Sequence, residues 1–225
     1  MNKILKLSAI ALLASSTSLM AQSKSFEGAS LGVGLSVIGA EVSGSSTSGD
    51  SPADTSKGTV GKITEIASLD LSYAAAFSNN GLFGVGVQYT PGKAKVGSGS
   101  LTDTTPGAKD GTTSASVTVK DLYTIYVMPT YAVSKDSAVF AKVGYSQASV
   151  TATSTGTATI TSQPDDLKGW GYAVGSKTML TGNTYLQVEA SYTDYDTLKA
   201  TLSNANVVTA DPKVLQATVS VGYKF

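Results

Sequence analysis

Leu215-Gln216-Ala217-Thr218-Val219-Ser220-Val221-Gly222-Tyr223-Lys224-Phe225, the C-terminal stretch of the chain, decides the fold. Its apolar residues fall at every second position, which is the period of a β-strand and not of a helix. One face carries Leu215, Ala217, Val219, Val221, Tyr223 and Phe225. The other carries Gln216, Thr218, Ser220, Gly222 and Lys224.

The same alternation recurs upstream. Leu186, Val188, Ala190 and Tyr192 alternate with Gln187, Glu189, Ser191 and Thr193; Val139, Ala141, Val143 and Tyr145 alternate with Phe140, Lys142, Gly144 and Ser146, with Phe140 as the misfit. Phe83, Val85, Val87 and Tyr89 form a third apolar stripe, Leu69, Leu71, Tyr73 and Ala75 a fourth, and Ala29, Leu31, Val33, Leu35 and Val37 the first in the chain. Two segments are less regular: from Tyr123 to Val133, Tyr126 and Met128 fall on the polar face, and from Trp170 to Leu180, Ser176 and Thr178 fall on the apolar one. Eight strands are predicted.

The connections set the topology. Three are tight, at Ser78-Asn79-Asn80-Gly81, Ser134-Lys135-Asp136 and Thr181-Gly182-Asn183, all built from residues that tolerate turn dihedrals. Four are long and polar, at roughly Gly44 to Gly61, Lys93 to Thr113, Ser154 to Asp166 and Ser203 to Pro212. Long and short connections alternate strictly, as in an up-and-down antiparallel barrel with short turns at one end and long loops at the other. Pro91 reads as the upper limit of the third strand, and Pro129 as a bulge or a strand end near a turn.

The polarity of the alternation says where the barrel lives. A soluble eight-stranded barrel puts apolar side chains inside; here small and polar residues, with a few charges, oppose the apolar stripe. A hydrogen-bonded interior and an apolar exterior require lipid. Tyr73, Phe77, Phe83, Tyr131, Tyr185, Tyr192, Tyr195, Tyr223 and Phe225 lie near segment ends and suit interfacial girdles. The prediction is an all-β, eight-stranded, antiparallel transmembrane β-barrel with short periplasmic turns, long extracellular loops and both termini in the periplasm.

The N-terminus is consistent with export. Lys3 and Lys6 precede an apolar run from Leu7 to Leu13 and a small-residue end at Ala21, the order of a secretory signal peptide; the run is too short for a membrane helix. The expected division is residues 1–21 as signal peptide and residues 22–225 as the barrel domain. The chain holds 16 basic residues, all Lys, against 16 acidic ones, and removing Lys3 and Lys6 leaves a net charge of −2. No basic patch for nucleic acid is visible.

At this point the chain resembles the OmpA/OmpX-like family of small outer-membrane β-barrels. The resemblance rests on the leader, the Tyr223-Lys224-Phe225 ending with its alternation back to Leu215, the Gly-Val-Gly-Val runs and the hairpin spacing; it covers residues 22–225. It implies an outer-membrane location, with outer-membrane lipid and lipopolysaccharide as surroundings. It also implies that Val219, Val221, Tyr223 and Phe225 form a C-terminal signal read by the barrel assembly machinery. A closed barrel leaves no free edge, so a monomer is expected.

Chemistry is restricted by what the chain lacks. With no His and no Cys, it has no His-based hydrolase, zinc or thiol machinery, and no enzyme activity or cofactor is expected. Asp165-Asp166 and Asp194-Tyr195-Asp196 are the acidic pairs, and both read as solvated loop or strand-end residues. The interior charges are more informative. Counted from the tight turns, Lys142, Lys177 and Glu189 point inward at similar heights on neighbouring strands; Asp70, Gln88, Gln187 and Gln216 extend the set. Charges removed from bulk water must be paired or hydrated, so Glu189 is expected to bond Lys177, with Lys142 as a further partner. The narrow lumen of eight strands favours a structural plug over a gate. The function expected first is an envelope structural or surface-interaction protein acting through its loops; the alternative is a narrow channel for small or hydrophobic solutes.

Overall fold

The computed structural model describes residues 22–47, 55–103, 111–155, 160–162, 166–202 and 207–225. The expected signal peptide lies outside the described residues, as does Asp165. A short 3-10 turn, Gln22–Phe26, precedes the strands β1 (Gly28–Thr47), β2 (Thr55–Ala76), β3 (Gly81–Asp103), β4 (Gly111–Ala132) and β5 (Ser137–Thr155). Then come β6 (Ile160–Ser162), β7 (Leu167–Met179), β8 (Thr184–Tyr195), β9 (Leu198–Leu202) and β10 (Val207–Lys224).

Pairing is antiparallel in the order β1-β2-β3-β4-β5-β7-β8-β10, and β10 pairs back onto β1 from Ser30↔Lys224 to Thr47↔Val207. The sheet therefore closes. The short strands are not extra staves: β9 pairs with β10 above the end of β8, and β6 pairs with β9. They continue the β8 and β7 staves past a break, so the barrel has eight staves, as the alternation predicts. Closure matters in lipid because each backbone amide and carbonyl must find a partner within the protein.

Outside and inside are as the polarity argument requires. Val87, Val219 and Val221 are 45%, 51% and 52% exposed, whereas Lys142 and Glu189 are each 7% exposed. Ser30, Ser36, Ser68, Ser72, Thr218 and Ser220 are buried, with Ser30 Oγ 2.9 Å from Ser72 Oγ and Ser36 Oγ 2.8 Å from Thr218 Oγ1. The tight turns are where the sequence puts them. In the first, the amides of Phe77 and Ser78 donate to the Gly81 carbonyl, and the Gly81 amide donates to Ser78 Oγ at 2.8 Å.

Four expectations need correction. The long loops are shorter than predicted, because β1 runs to Thr47, β2 starts at Thr55, β3 reaches Asp103 and β4 starts at Gly111. Beyond the lipid both faces meet water, so Ser- and Thr-rich segments form strands without any apolar stripe. Pro91 does not end β3; the β3–β4 register shifts between Thr90 and Lys93, so Pro91 and Gly92 form a bulge opposite Asp121. Bulges are among the few places where a strand accepts proline.

The third correction concerns Tyr185 and Tyr195, which are 2% and 8% exposed and point inward, not into a girdle. Gly32 and Gly222 make room for Tyr185: a Cβ added at Gly32 would lie 2.7 Å from its hydroxyl. The fourth is that the lumen is not polar throughout. Phe26, Ala74, Leu82, Ala132, Ala138, Met179 and Tyr185 form an apolar plug at the turn end, and Ser23 ties the 3-10 turn beneath it by donating its amide to Asn79 O at 3.0 Å. Tyr126, Met128 and Phe140, the irregular residues of their strands, cluster inside just above.

Candidate functional site

The lumen is layered, and its middle is charged. Lys142 on β5 places Nζ 2.7 Å from Glu189 Oε2 on β8 and 3.8 Å from Asp70 Oδ2 on β2. Tyr126 donates its hydroxyl to both Asp70 oxygens, at 2.9 and 2.7 Å, and its ring lies under the ammonium, 4.3 Å from Nζ to the centroid. Two cations and two carboxylates balance once Lys177 is included.

Glu189 thus pairs with Lys142 and not with Lys177. The reason lies in β7, which runs between them: the residues opposite Lys142 and Glu189 are Ala173 and Gly175, too small to block the pair. Lys177 sits nearer the turn, opposite Gln187, and its Nζ packs 4.2 Å from the centroid of the Tyr185 ring. Among the described residues no carboxylate lies within ion-pair distance of Lys177. Gln187 donates to Glu189 at 3.4 Å, Gln88 to Ser68 at 3.2 Å, and Gln216 to Ser36 at 2.9 Å.

Above the charges, Gln88, Thr124, Ser146, Ser191 and Gln216 line a polar recess whose floor is Lys142 and Glu189. Higher still the interior turns apolar. Ala148, Leu167, Tyr195 and Leu198 cluster there, with Val119, Leu122, Val150 and Val214 packed on them. The bulge adds one residue to this cluster: Asp121 and Leu122 together oppose one position of β5, so the facing of β4 shifts and Val119 turns inward as Leu122 does. Asp121 adopts φ +52°, a conformation Asp tolerates better than most residues.

The wall is incomplete at this level. β2 and β3 pair only from Ala76↔Leu82 to Leu69↔Tyr89, and among the described residues no ladder pair joins them higher up. Behind the gap lies a cavity of about 340 Å³, lined inside by Ile38, Ile66, Leu122, Leu167, Tyr195 and Val214. Its outer lips are Glu65 and Ala67 on β2 and Pro91, Gly92 and Lys93 on β3. The cavity therefore reaches from the lumen to the outer face of the barrel. Sequence reading missed this seam; its one signal was the Pro91-Gly92 dipeptide, which read as the end of a strand.

Asp166 accepts a bond from Gln147 at 3.1 Å; Asp194 and Asp196 are exposed and Tyr195 points away from them into the lumen. Among the described residues no group of three or more metal-ligating side chains converges. Val219, Val221 and Tyr223 lie exposed on the outer face of β10, and Phe225, exposed just past its end, packs edge to face with Tyr223 at 5.3 Å.

OprG, an outer membrane protein of Pseudomonas aeruginosa, superposes with a TM-score of 0.56 at 16% identity, covering 88% of this chain and 96% of that one. Ail, the attachment invasion locus protein of Yersinia pestis, matches with a TM-score of 0.42 at 14% identity over 88% of this chain and 99% of its own. The outer membrane protease OmpT of Escherichia coli gives 0.41 at 10% identity over 88% and 97%. A search of curated protein sequences finds no match. The family described as outer membrane protein beta-barrel domain matches residues 9–225, and the chain belongs to it: it is an outer-membrane β-barrel protein.

Proposed function

We propose that the barrel is a narrow conduit for small apolar solutes, which leave the lumen sideways through the β2–β3 seam into the surrounding lipid at the level of its headgroups. The observation that carries this reading is the apolar cavity of about 340 Å³ that opens between Ala67 and Pro91, where the ladder is unpaired. A cavity of that size suits a small organic molecule. Straight passage to the periplasm is opposed twice, by the Lys142–Glu189–Asp70 floor and by the apolar plug around Leu82 and Tyr185. Ions have no reason to enter a path with apolar walls and an occupied charge layer, whereas apolar solutes lose little by doing so.

The test uses the absence of native cysteine. Ala67→Cys and Pro91→Cys place two thiols on opposite lips of the seam, and a short bifunctional thiol reagent then bridges them. Reconstituted vesicles are expected to take up an apolar dye faster with the open barrel than with the bridged one, and to show no step-like ion conductance in either state. Uptake that ignores the bridge, or reproducible ion-conducting openings, would refute the conduit.

The surface-interaction reading keeps one observation in its favour. The β1–β2 and β3–β4 hairpins stay paired as far as Thr47↔Thr55 and Asp103↔Gly111, well above the apolar belt, so they hold surface segments on stiff supports. Trimming either hairpin leaves the conduit intact under the first reading and abolishes adhesion under the second.

A further inference from the structure

The outer face of the β3–β4 pair is a regular column until it reaches the seam. Phe83/Pro129, Val85/Val127, Val87/Ile125 and Tyr89/Tyr123 are successive outward rungs, and the tyrosine rung marks the upper edge of the apolar belt. The next outward rung, beyond the bulge, is Lys93/Lys120, which faces out because the neighbouring Val119 packs into the interior cluster. Two ammonium groups directly opposite each other on one face of a sheet repel and cost stability.

Elsewhere on the rim the protein avoids this. Glu41 faces Lys213, and Lys213 faces Asp194, so charges alternate around β1, β10 and β8. Among the described ladder pairs, Lys93/Lys120 alone brings like charges together. Among the described residues neither lysine has a carboxylate within ion-pair distance. The nearest acidic neighbour in sequence, Asp121, accepts a bond from the Tyr89 hydroxyl at 3.2 Å, and Glu65 stands on the opposite lip of the seam. Lys93 lies on the unpaired edge of β3, and both lysines line the mouth of the apolar cavity.

We infer that Lys93 and Lys120 form a binding site for the phosphate monoester group of a membrane lipid, with an acyl chain resting against the apolar recess of the seam. A phosphate monoester carries nearly two negative charges near neutral pH, enough to turn a repulsive lysine rung into an attractive one. The position, one rung above an aromatic girdle, is the depth at which lipid headgroups lie. The apolar recess beside it suits a lipid rather than a free anion. This site stands whether or not solutes pass through the seam.

The experiment compares the barrel refolded in phosphatidylcholine vesicles, in the same vesicles containing phosphatidic acid, and in phosphatidylcholine vesicles with inorganic phosphate in the buffer. The readout is the temperature at which the heat-resistant, fast-migrating form is lost. Phosphatidic acid is expected to raise it by about 3 °C through preferential binding to the folded state. The Lys93→Gln/Lys120→Gln variant is expected to lose most of that rise, while Lys168→Gln/Lys213→Gln, which removes the same charge elsewhere on the rim, keeps it. Equal responses from the two variants, no rise with phosphatidic acid, or a full rise with inorganic phosphate would each overturn the site. None of these outcomes bears on dye uptake, so failure here and failure of the conduit are told apart.

Discussion

The lower and upper halves of this barrel are built on the same strands and obey different rules. Below Leu69 and Tyr89 every stave is paired to both neighbours and the lumen is packed with an apolar plug and a neutralised charge layer. Above them β2 and β3 part, the interior becomes apolar and a cavity opens to the outer face. The change is made by backbone chemistry. Proline supplies no amide, Gly92 takes φ +109°, and Asp121 takes φ +52° across from them. The lower half is organised for closure, and the upper half gives up ladder bonds for an opening.

The largest effect is expected from attacking the lower half. Glu189→Ala removes the nearest partner of Lys142 and leaves a buried ammonium leaning on Asp70 alone, 3.8 Å away. Breaking a buried pair from one side typically costs about 3–5 kcal/mol, and Asp70 should keep this case near 3. Urea unfolding of the reconstituted barrel measures the loss. Dye uptake through the seam should be nearly unchanged, because the floor lies below the cavity. A clear rise in conductance with unfolding stability unchanged would make the charge layer a gate and not a plug.

A smaller effect in the same half comes from packing. At Gly86 an added Cβ would meet the Tyr126 hydroxyl and lie 2.8 Å from Leu71 O. Tyr126 cannot swing away without giving up Asp70, and Leu71 O is backbone. Gly86→Ala should therefore cost about 1–3 kcal/mol, the usual range for overpacking a filled interior. A spectroscopic change at Tyr126 should accompany the loss, and a silent substitution would show that the lower lumen is looser than its contacts imply.

Most of the lower half was legible from alternation, because lipid outside and hydrogen bonds inside force opposite residue types onto the two faces of Leu215 to Phe225 and its counterparts. The inward-facing set Asp70, Lys142, Lys177 and Glu189 could be read by the same rule. Who pairs with whom could not, since it depends on Ala173 and Gly175 leaving a path across β7, a matter of three dimensions. The apolar plug was hidden for a related reason: Leu82 and Tyr185 sit next to turns, where an apolar residue reads equally well as girdle or core. The upper half was barely legible. Towards its far end, beyond the lipid, the two faces no longer differ, so Ser- and Thr-rich strands look like loops, and at the seam a bulge that shifts the facing of β4 disrupts the periodic signal.

The sharpest contrast with Gly86 is Gly92. Among the described residues nothing lies within 4 Å of where its Cβ would go, so packing does not forbid a side chain there, yet φ of +109° does. Gly92→Ala must either hold a strained backbone, at about 1 kcal/mol, or relax toward an extended strand that faces β2. Relaxation would straighten the bulge and bring the β3 edge into register with Glu65 to Ser68. The expected result is a small stability change together with slower dye uptake and slower amide exchange in β2 just above Leu69. If uptake and exchange both stay at the level of the unaltered barrel while stability falls, the bulge is strained for packing reasons alone, and the two halves differ in shape without differing in purpose.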